Sequence, residues 1–285
     1  VTTIEQLLQS AAHRLGSIDI PTPRLDAEVL LADILGRPRL EILIDRKQPV
    51  AEQDIARFEA FLAQRLDHRP VSQILGHREF WSLDFEVTPA VLTPRPDSET
   101  LVAVVVERAG FLQRPLDLLE IGVGSGCLLA SILVECPLLT GVGVDISGDA
   151  LDVAQRNCDH HGLSERVTLL QSDVFDAVDD GRRFDIILSN PPYIRSSDIS
   201  QLDPDVARFE PLTALDGGVD GLDFYRRIIK EAPLYLKLEG LLAFEIGHDQ
   251  GLDVCNLFSA QWGDVEILQD LESRDRVVLG RLMQK

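Results

Sequence analysis

The stretch Leu116-Asp117-Leu118-Leu119-Glu120-Ile121-Gly122-Val123-Gly124-Ser125-Gly126 decides the fold. Its first six residues form a short apolar run that suits a strand buried on both faces of a sheet. The glycines that follow let the backbone turn tightly into a helix amino terminus, here the helical pattern Gly126–Glu135. Outward from this unit the two periodicities alternate. A helix is expected near Asp97–Ala109, then strand Gly141–Ile146, helix Asp149–His161, and strands Val167–Gln171 and Phe184–Ser189. Helix Asp223–Leu238, strand Leu241–Ile246 and helix Gly251–Ala260 come next. Such alternation predicts a mainly parallel, doubly wound α/β sheet. Two closing strands, near Val265–Leu268 and Arg276–Gly280, lack a helix between them and should form an antiparallel hairpin.

Upstream the pattern is helical. Thr2-x-x-Glu5 reads as a capping box, followed by Ile4, Leu7, Leu8, Ala11 and Leu15 at helical spacing. Thr22-Pro23 opens a second helix, and a third runs from about Ala51 to Asp67. Helices with single apolar stripes must pack on one another, which predicts a small bundle over residues 1–70. Alternation from Phe80 to Val87 suggests hairpin strands within a linker, 71–93, and the α/β domain then occupies 94–285.

Hydrophobic residues make up 45 % of the 285, enough for a sizeable core. No apolar run is long enough to cross a bilayer and no charged-then-apolar leader opens the chain, so neither a membrane partner nor a signal peptide is expected. Cys127, Cys136, Cys158 and Cys255 have no metal-type spacing and read as reduced thiols of a cytoplasmic protein; no metal site is expected. The formal net charge of −20 repels nucleic acid, whose affinity for proteins comes mainly from phosphate neutralisation. No run of Lys and Arg is longer than a pair, as at Arg182-Arg183 and Arg226-Arg227. A basic protein or a small ligand is the better partner, although acidity can also serve solubility alone.

The glycine loop itself carries chemistry. A dinucleotide fingerprint would place its third glycine at Cys127, so that reading fails. Glu120 would repel a pyrophosphate but attract a sulfonium or an ammonium, and S-adenosylmethionine carries both. Asp145, at the end of the next strand, can accept from both ribose hydroxyls. The expected cofactor set is therefore Glu120, Gly122, Val123, Gly124, Ser125, Gly126 and Asp145, joined by Asp173 and Val174 beside the adenine. Asp173 has a second reading as an ordinary helix cap.

After strand Phe184–Ser189 stands Asn190-Pro191-Pro192-Tyr193. At a strand's carboxyl end, two prolines make a stiff turn without two backbone donors. The Asn190 side-chain oxygen and the Pro191 carbonyl then form a pair of acceptors suited to an NH2 group, with Tyr193 offering a flat face. Asn190, Pro191 and Tyr193 are the catalytic candidates. All four residues are expected at the substrate, and Asn190 also at the cofactor.

With these motifs in place the chain resembles the HemK/PrmC family, methyltransferases that modify a glutamine side-chain amide in peptide chain release factors. The resemblance also covers Pro94-Arg95-Pro96-Asp97-Ser98-Glu99, Val144 to Ser147, Glu210-Pro211, Gly217 to Leu222, Glu245-Ile246-Gly247 and Arg274 to Val277. Asp97-Ser98 stands where the family more often has Glu-Thr, and Glu120 where Asp is commoner; both keep the chemistry. Val174 replaces an aromatic found in some relatives. The resemblance implies a helical domain, a hairpin linker and a Rossmann-like methyltransferase domain. It also implies S-adenosylmethionine as cofactor, S-adenosylhomocysteine as product, a release factor as protein substrate, and an effect on translation termination. A monomer is expected. The alternative is an adenine amino-methyltransferase acting on DNA or RNA, which uses the same acceptor turn. The long connection Arg195–Gly221 reads as a substrate-facing wall or lid with hinge glycines, or as a disordered surface loop. Arg95 is expected to close the cofactor site or meet the substrate.

Overall fold

Seven strands form the main sheet of the computed structural model, which describes residues 1–110 and 114–284. The chain divides into two compact units, Val1–His77 with Asp203–Phe209, and Arg78–Leu202 with Glu210–Lys285.

The first unit is helical: α1 (Ile4–Gly16), α2 (Pro23–Leu35), α3 (Arg39–Ile44), α4 (Glu52–Leu66) and α5 (Val71–Leu75). Leu8, Leu15, Leu30, Leu31, Phe58 and Leu62 are wholly buried at its centre. The capping box falls one residue later than expected. Thr3 accepts from the Gln6 N–H, and the Gln6 side chain accepts from the Thr3 N–H at 3.0 Å. Thr2 instead gives its carbonyl to Val50 N–H. The short helices α3 and α5 each follow a proline and are too brief to leave a periodic stripe.

Next in the chain, β1 (His77–Phe80) and β2 (Leu83–Glu86) pair as the two-stranded sheet. A 3-10 turn, Pro96–Ser98, precedes α6 (Glu99–Gly110). Then follow β3 (Leu116–Ile121), α7 (Cys127–Glu135), β4 (Leu139–Asp145), α8 (Gly148–His160), β5 (Val167–Gln171) and β6 (Phe184–Ser189). The connection after β6 carries α9 (Pro204–Phe209), which belongs to the helical unit. There Gln73 donates to the Phe209 carbonyl at 2.8 Å. The chain ends with α10 (Asp223–Glu231), β7 (Leu236–Glu245), α11 (Gly251–Cys255), β8 (Trp262–Gln269) and β9 (Asp275–Leu282).

The sheet order is β5-β4-β3-β6-β7-β9-β8. The first five strands are parallel, and β9 runs antiparallel to both β7 and β8, a Rossmann-like methyltransferase arrangement. Buried clusters fill both faces, which explains why the central strands read as unbroken apolar runs. Two helices are shorter than their patterns. Pro233 has no N–H and cannot continue a helix interior, so α10 ends at Glu231 and β7 begins at Leu236. Beyond Cys255, tight i→i−3 turns replace helix and bring Phe258 edge-on to Phe244 and Trp262.

The order reverses between β3 and β6, where strands lead off to opposite sides. In open α/β sheets ligands bind outside the carboxyl edge at such a switch point. Ile121 pairs with Ser189, so the glycine loop and the Asn190 turn leave the sheet at one level.

Candidate active site

A cavity of about 650 Å³ opens at this edge, within the range of small-molecule sites. Its wall includes Glu120, Gly122, Val123, Gly124, Ser125, Asp145, Asp173, Val174, Asn190, Pro191 and Pro192. Two of the expected residues are not on that wall, Gly126 and Tyr193.

Gly126 acts one step back. It precedes α7 with φ 79°, and a Cβ there would come 3.3 Å from the Ala154 Cβ, so the residue lets the loop lie close to α8. Tyr193 packs against the core under the sheet edge, and burial pushes its hydroxyl up to about 12.

The glycine loop is fixed by its neighbours. Gly122 and Val123 donate to the Val144 carbonyl at 2.8 and 3.0 Å. Gly124 N–H donates to Asp145 Oδ2 at 2.9 Å, and Ser147 N–H to Asp145 Oδ1 at 2.9 Å. Each Asp145 oxygen keeps a lone pair for a ligand. Asn157, which sequence reasoning passed over, is buried on α8 and donates to both the Ser125 carbonyl, at 2.8 Å, and the Glu86 carbonyl. It thereby ties β2 to the loop.

Glu120 is 1 % exposed and its Oε2 has no hydrogen-bond partner. Burial, with the Asp145 charge adding to it, pushes the carboxyl well above the usual carboxylate range. A buried acceptor with a free lone pair on a cavity wall is a place for a cation or an N–H donor.

Asp173 lines the cavity but is not free: Arg227 donates to its Oδ1 at 2.6 Å and to its carbonyl at 3.1 Å. Val174 holds φ 56°, a costly conformation for a β-branched residue. The Ser172 hydroxyl supports it by donating to the Val174 carbonyl and accepting from Ala177 N–H.

On the other wall, Asn190 Nδ2 donates to Ser98 Oγ at 3.3 Å. Arg95 lines the cavity and donates to Glu210 Oε1 at 2.8 Å, joining the Pro94–Glu99 segment to the connection after β6. That connection supplies Pro211, Leu212, Thr213 and Ala214 to the wall. Its glycines stand close against neighbouring backbone. A Cβ on Gly217 would lie 2.7 Å from the Pro192 carbonyl, and one on Gly221 2.4 Å from the Tyr193 carbonyl. They are small because the connection presses on the acceptor turn. Ile194 N–H to the Leu215 carbonyl and Gly217 N–H to the Ile194 carbonyl hold that contact.

Away from the cavity, His161 bonds the Asp84 carbonyl at 2.9 Å and its ring lies 5.0 Å from that of Phe85. Burial drives the thiols of Cys127, which itself lines the cavity, and Cys158 up to about 12.

The family models that match are the PrmC N-terminal domain, over residues 6–76, and the methyltransferase small domain, over 97–203. A release factor glutamine methyltransferase of Geobacter sulfurreducens is 40 % identical over 283 residues, covering 99 % of this chain and 98 % of its own. The chain belongs to the release factor glutamine methyltransferase family. A second member, from Agrobacterium fabrum, is 37 % identical over 98 % of this chain and 97 % of its own. In fold, the chain is similar to a methyltransferase of Pyrococcus furiosus, with a TM-score of 0.52 at 18 % identity, covering 71 % of this chain and 90 % of that one. Membership extends over both units, so the helical unit is part of the family pattern as much as the sheet is. No helix among the described residues is long and apolar enough to cross a membrane.

Proposed function

We propose that this protein transfers a methyl group from S-adenosylmethionine to the side-chain amide nitrogen of a glutamine in a peptide chain release factor, in the cytoplasm. One observation carries the reading. The strand register Ile121–Ser189 sets a glycine loop with a free buried carboxylate and a proline-stiffened acceptor turn side by side on one cavity.

The cofactor fits the residues. Glu120 Oε2 offers a partner to a cationic group, Asp145 retains lone pairs for ribose hydroxyls, and Val174 gives an apolar surface to the adenine. When bound, S-adenosylmethionine supplies an electrophilic methyl on a sulfonium. Asn190 Oδ1 and the Pro191 carbonyl accept from the two N–H bonds of the glutamine amide and fix its direction. As positive charge develops on nitrogen, both acceptors bind it more strongly, which lowers the barrier without a strong base. The proton leaves during or after transfer. Because Arg227 holds Asp173, recognition of the adenine amino group falls to the Asp173 oxygens as Arg227 orients them.

Purified protein, tritiated cofactor and three acceptors test the reading: a release factor, the same factor with its target glutamine replaced, and DNA or RNA oligonucleotides. Label entering only the intact release factor supports it. Label in nucleic acid and none in the factor would replace it with adenine methylation.

A further inference from the structure

Glu245 is a buried carboxylate beside the acceptor turn that the scheme above leaves without a task. It ends β7, next to the strand that carries the acceptor turn. Ser189 pairs with Phe244, so the following residues, Asn190 and Glu245, leave adjoining strands at the same level. Glu245 is 1 % exposed and its Oε2 has no hydrogen-bond partner. Its backbone is fixed by Tyr225 Oη, which donates to the Glu245 carbonyl at 2.9 Å. Ser98 and the Asn190 side chain stand beside its carboxylate and offset part of the cost of burying it.

We infer that Ser98 and Glu245 are positioning residues that set which end of the Asn190 amide faces the substrate. The inference rests on the acceptor-turn reading above and deepens it. An amide has two faces, an oxygen that accepts and an NH2 that donates, and only the first can hold another NH2 group. An ionised Glu245 is acceptor-only, so the Asn190 NH2 must turn to it and to Ser98 Oγ, 3.3 Å away. Oδ1 is then left for the cavity. The flipped amide would set Oδ1 against a buried carboxylate, a repulsion that water cannot screen.

Protonation removes the preference, because a neutral carboxyl can donate to Oδ1 and hold the wrong face. The groups around Glu245 come from five elements: Asp97 and Ser98 of the 3-10 turn, Asn190 and Tyr193 of the acceptor turn, Arg276 of β9, Tyr225 of α10 and Cys127 of α7. Burial outweighs the Ser98 and Arg276 contributions and pushes the carboxyl up to about 7. Turnover should therefore rise with pH through a limb near neutrality, or somewhat below it once a cationic ligand is bound.

Steady-state methylation of the release factor, from mildly acid to mildly alkaline pH, tests this with Glu245→Gln, Ser98→Ala, Ser98→Thr, Asn190→Ala and the Asn190→Ala/Glu245→Gln double variant. Cofactor affinity is measured by calorimetry and folding by thermal melts. Glu245→Gln should lower kcat about tenfold or more, abolish the acid limb, and leave cofactor Kd within about threefold. Ser98→Ala should lower kcat and Ser98→Thr restore it. In the Asn190→Ala background, Glu245→Gln should cost nothing further, because the group it orients is gone. A Glu245→Gln enzyme that keeps wild-type kcat and its acid limb, with Asn190→Ala still inactive, overturns this inference and leaves the acceptor turn standing. An active Asn190→Ala enzyme removes both. Should Glu245→Gln fail to fold, the Ser98 pair decides: equal kcat for Ser98→Ala and wild type overturns the inference.

Discussion

Ser189 Oγ donates to the Ile121 carbonyl at 2.7 Å, a bond between the last residues of β6 and β3. Both loops of the site begin at the next residue. The bond therefore sets the spacing between glycine loop and acceptor turn. Ser189 is wholly buried, so Ser189→Ala leaves a carbonyl without its donor and should cost about 1 kcal/mol. The urea midpoint should fall with unchanged slope, and turnover should drop even where the protein remains folded. Wild-type turnover in a folded Ser189→Ala enzyme would show that the spacing is held elsewhere.

Asn190→Ala removes one of the two acceptors for the substrate amide. Loss of a preorganised partner of this kind costs about 3–4 kcal/mol of barrier, two or more decades in kcat. The cofactor contacts of Glu120 and Asp145 stay in place, so cofactor affinity should change only a few-fold. Single-turnover rates with saturating cofactor separate the two effects.

Glu120 gives a pH prediction whose sign follows from its burial. The folded carboxyl is raised, so the folded, cofactor-free protein holds a proton more tightly than the unfolded chain does. Its contribution to stability is complete below the unfolded value, about 4.3, and is lost as pH rises toward the folded value. Gln carries no charge to bury. Glu120→Gln should thus raise the melting temperature of the free protein at mildly alkaline pH and change it little in acid. The same variant should bind S-adenosylmethionine about tenfold or more weakly, roughly 1.4 kcal/mol. Opposite movement of stability and affinity distinguishes a ligand carboxylate from a structural one.

Much of this was legible in the sequence because the central strands are buried on both faces and flanked by glycines. Leu116–Ile121, Val167–Gln171 and Phe184–Ser189 form strands over the residues their patterns predict. Glu120, Asp145 and Asn190 stand on one cavity for the same reason, each being at or just beyond the end of an apolar run. What pattern could not reveal is non-local. The Asn157 side chain reaches from α8 to the glycine loop, Glu245 meets Asn190 through strand register, and Arg227 reaches Asp173 across 54 residues of sequence. The helix Pro204–Phe209 was invisible because its six residues are too few for a period.

The helical unit offers a test independent of catalysis. Arg65 Nε lies 2.7 Å from Asp26 Oδ2, with side chains 4 % and 9 % exposed, and Thr22 Oγ1 donates to Asp26 Oδ1 at 2.7 Å. Asp26→Ala removes the nearer partner of a buried guanidinium, which keeps only Asp205 at 3.5 Å and the Arg69 carbonyl, and should cost about 3 kcal/mol. Replacing both partners, Asp26→Leu with Arg65→Met, should cost less, since the one carboxylate left without Arg65, Asp205, is half-exposed to water. Urea titrations of the three proteins check this, and equal losses for single and double variants would refute it.

Gly221 should also be intolerant of substitution, for a steric reason. Its φ of 78° disfavours any L side chain, at about 1–3 kcal/mol, and its Cβ would stand 2.4 Å from the Tyr193 carbonyl. Gln250 Nε2 bridges that same carbonyl and the Gly221 carbonyl, at 3.1 and 3.3 Å, so the turn cannot retreat without breaking the bridge. Gly221→Ala should displace the acceptor turn and lower kcat by a decade or more, while the glycine loop and cofactor Kd are untouched. If a hinge were needed instead, Ala would slow opening and product release, and a burst of methylated product would precede the steady state. A pre-steady-state time course without a burst, at reduced rate, is the expected result; a burst of normal amplitude would restore the hinge reading.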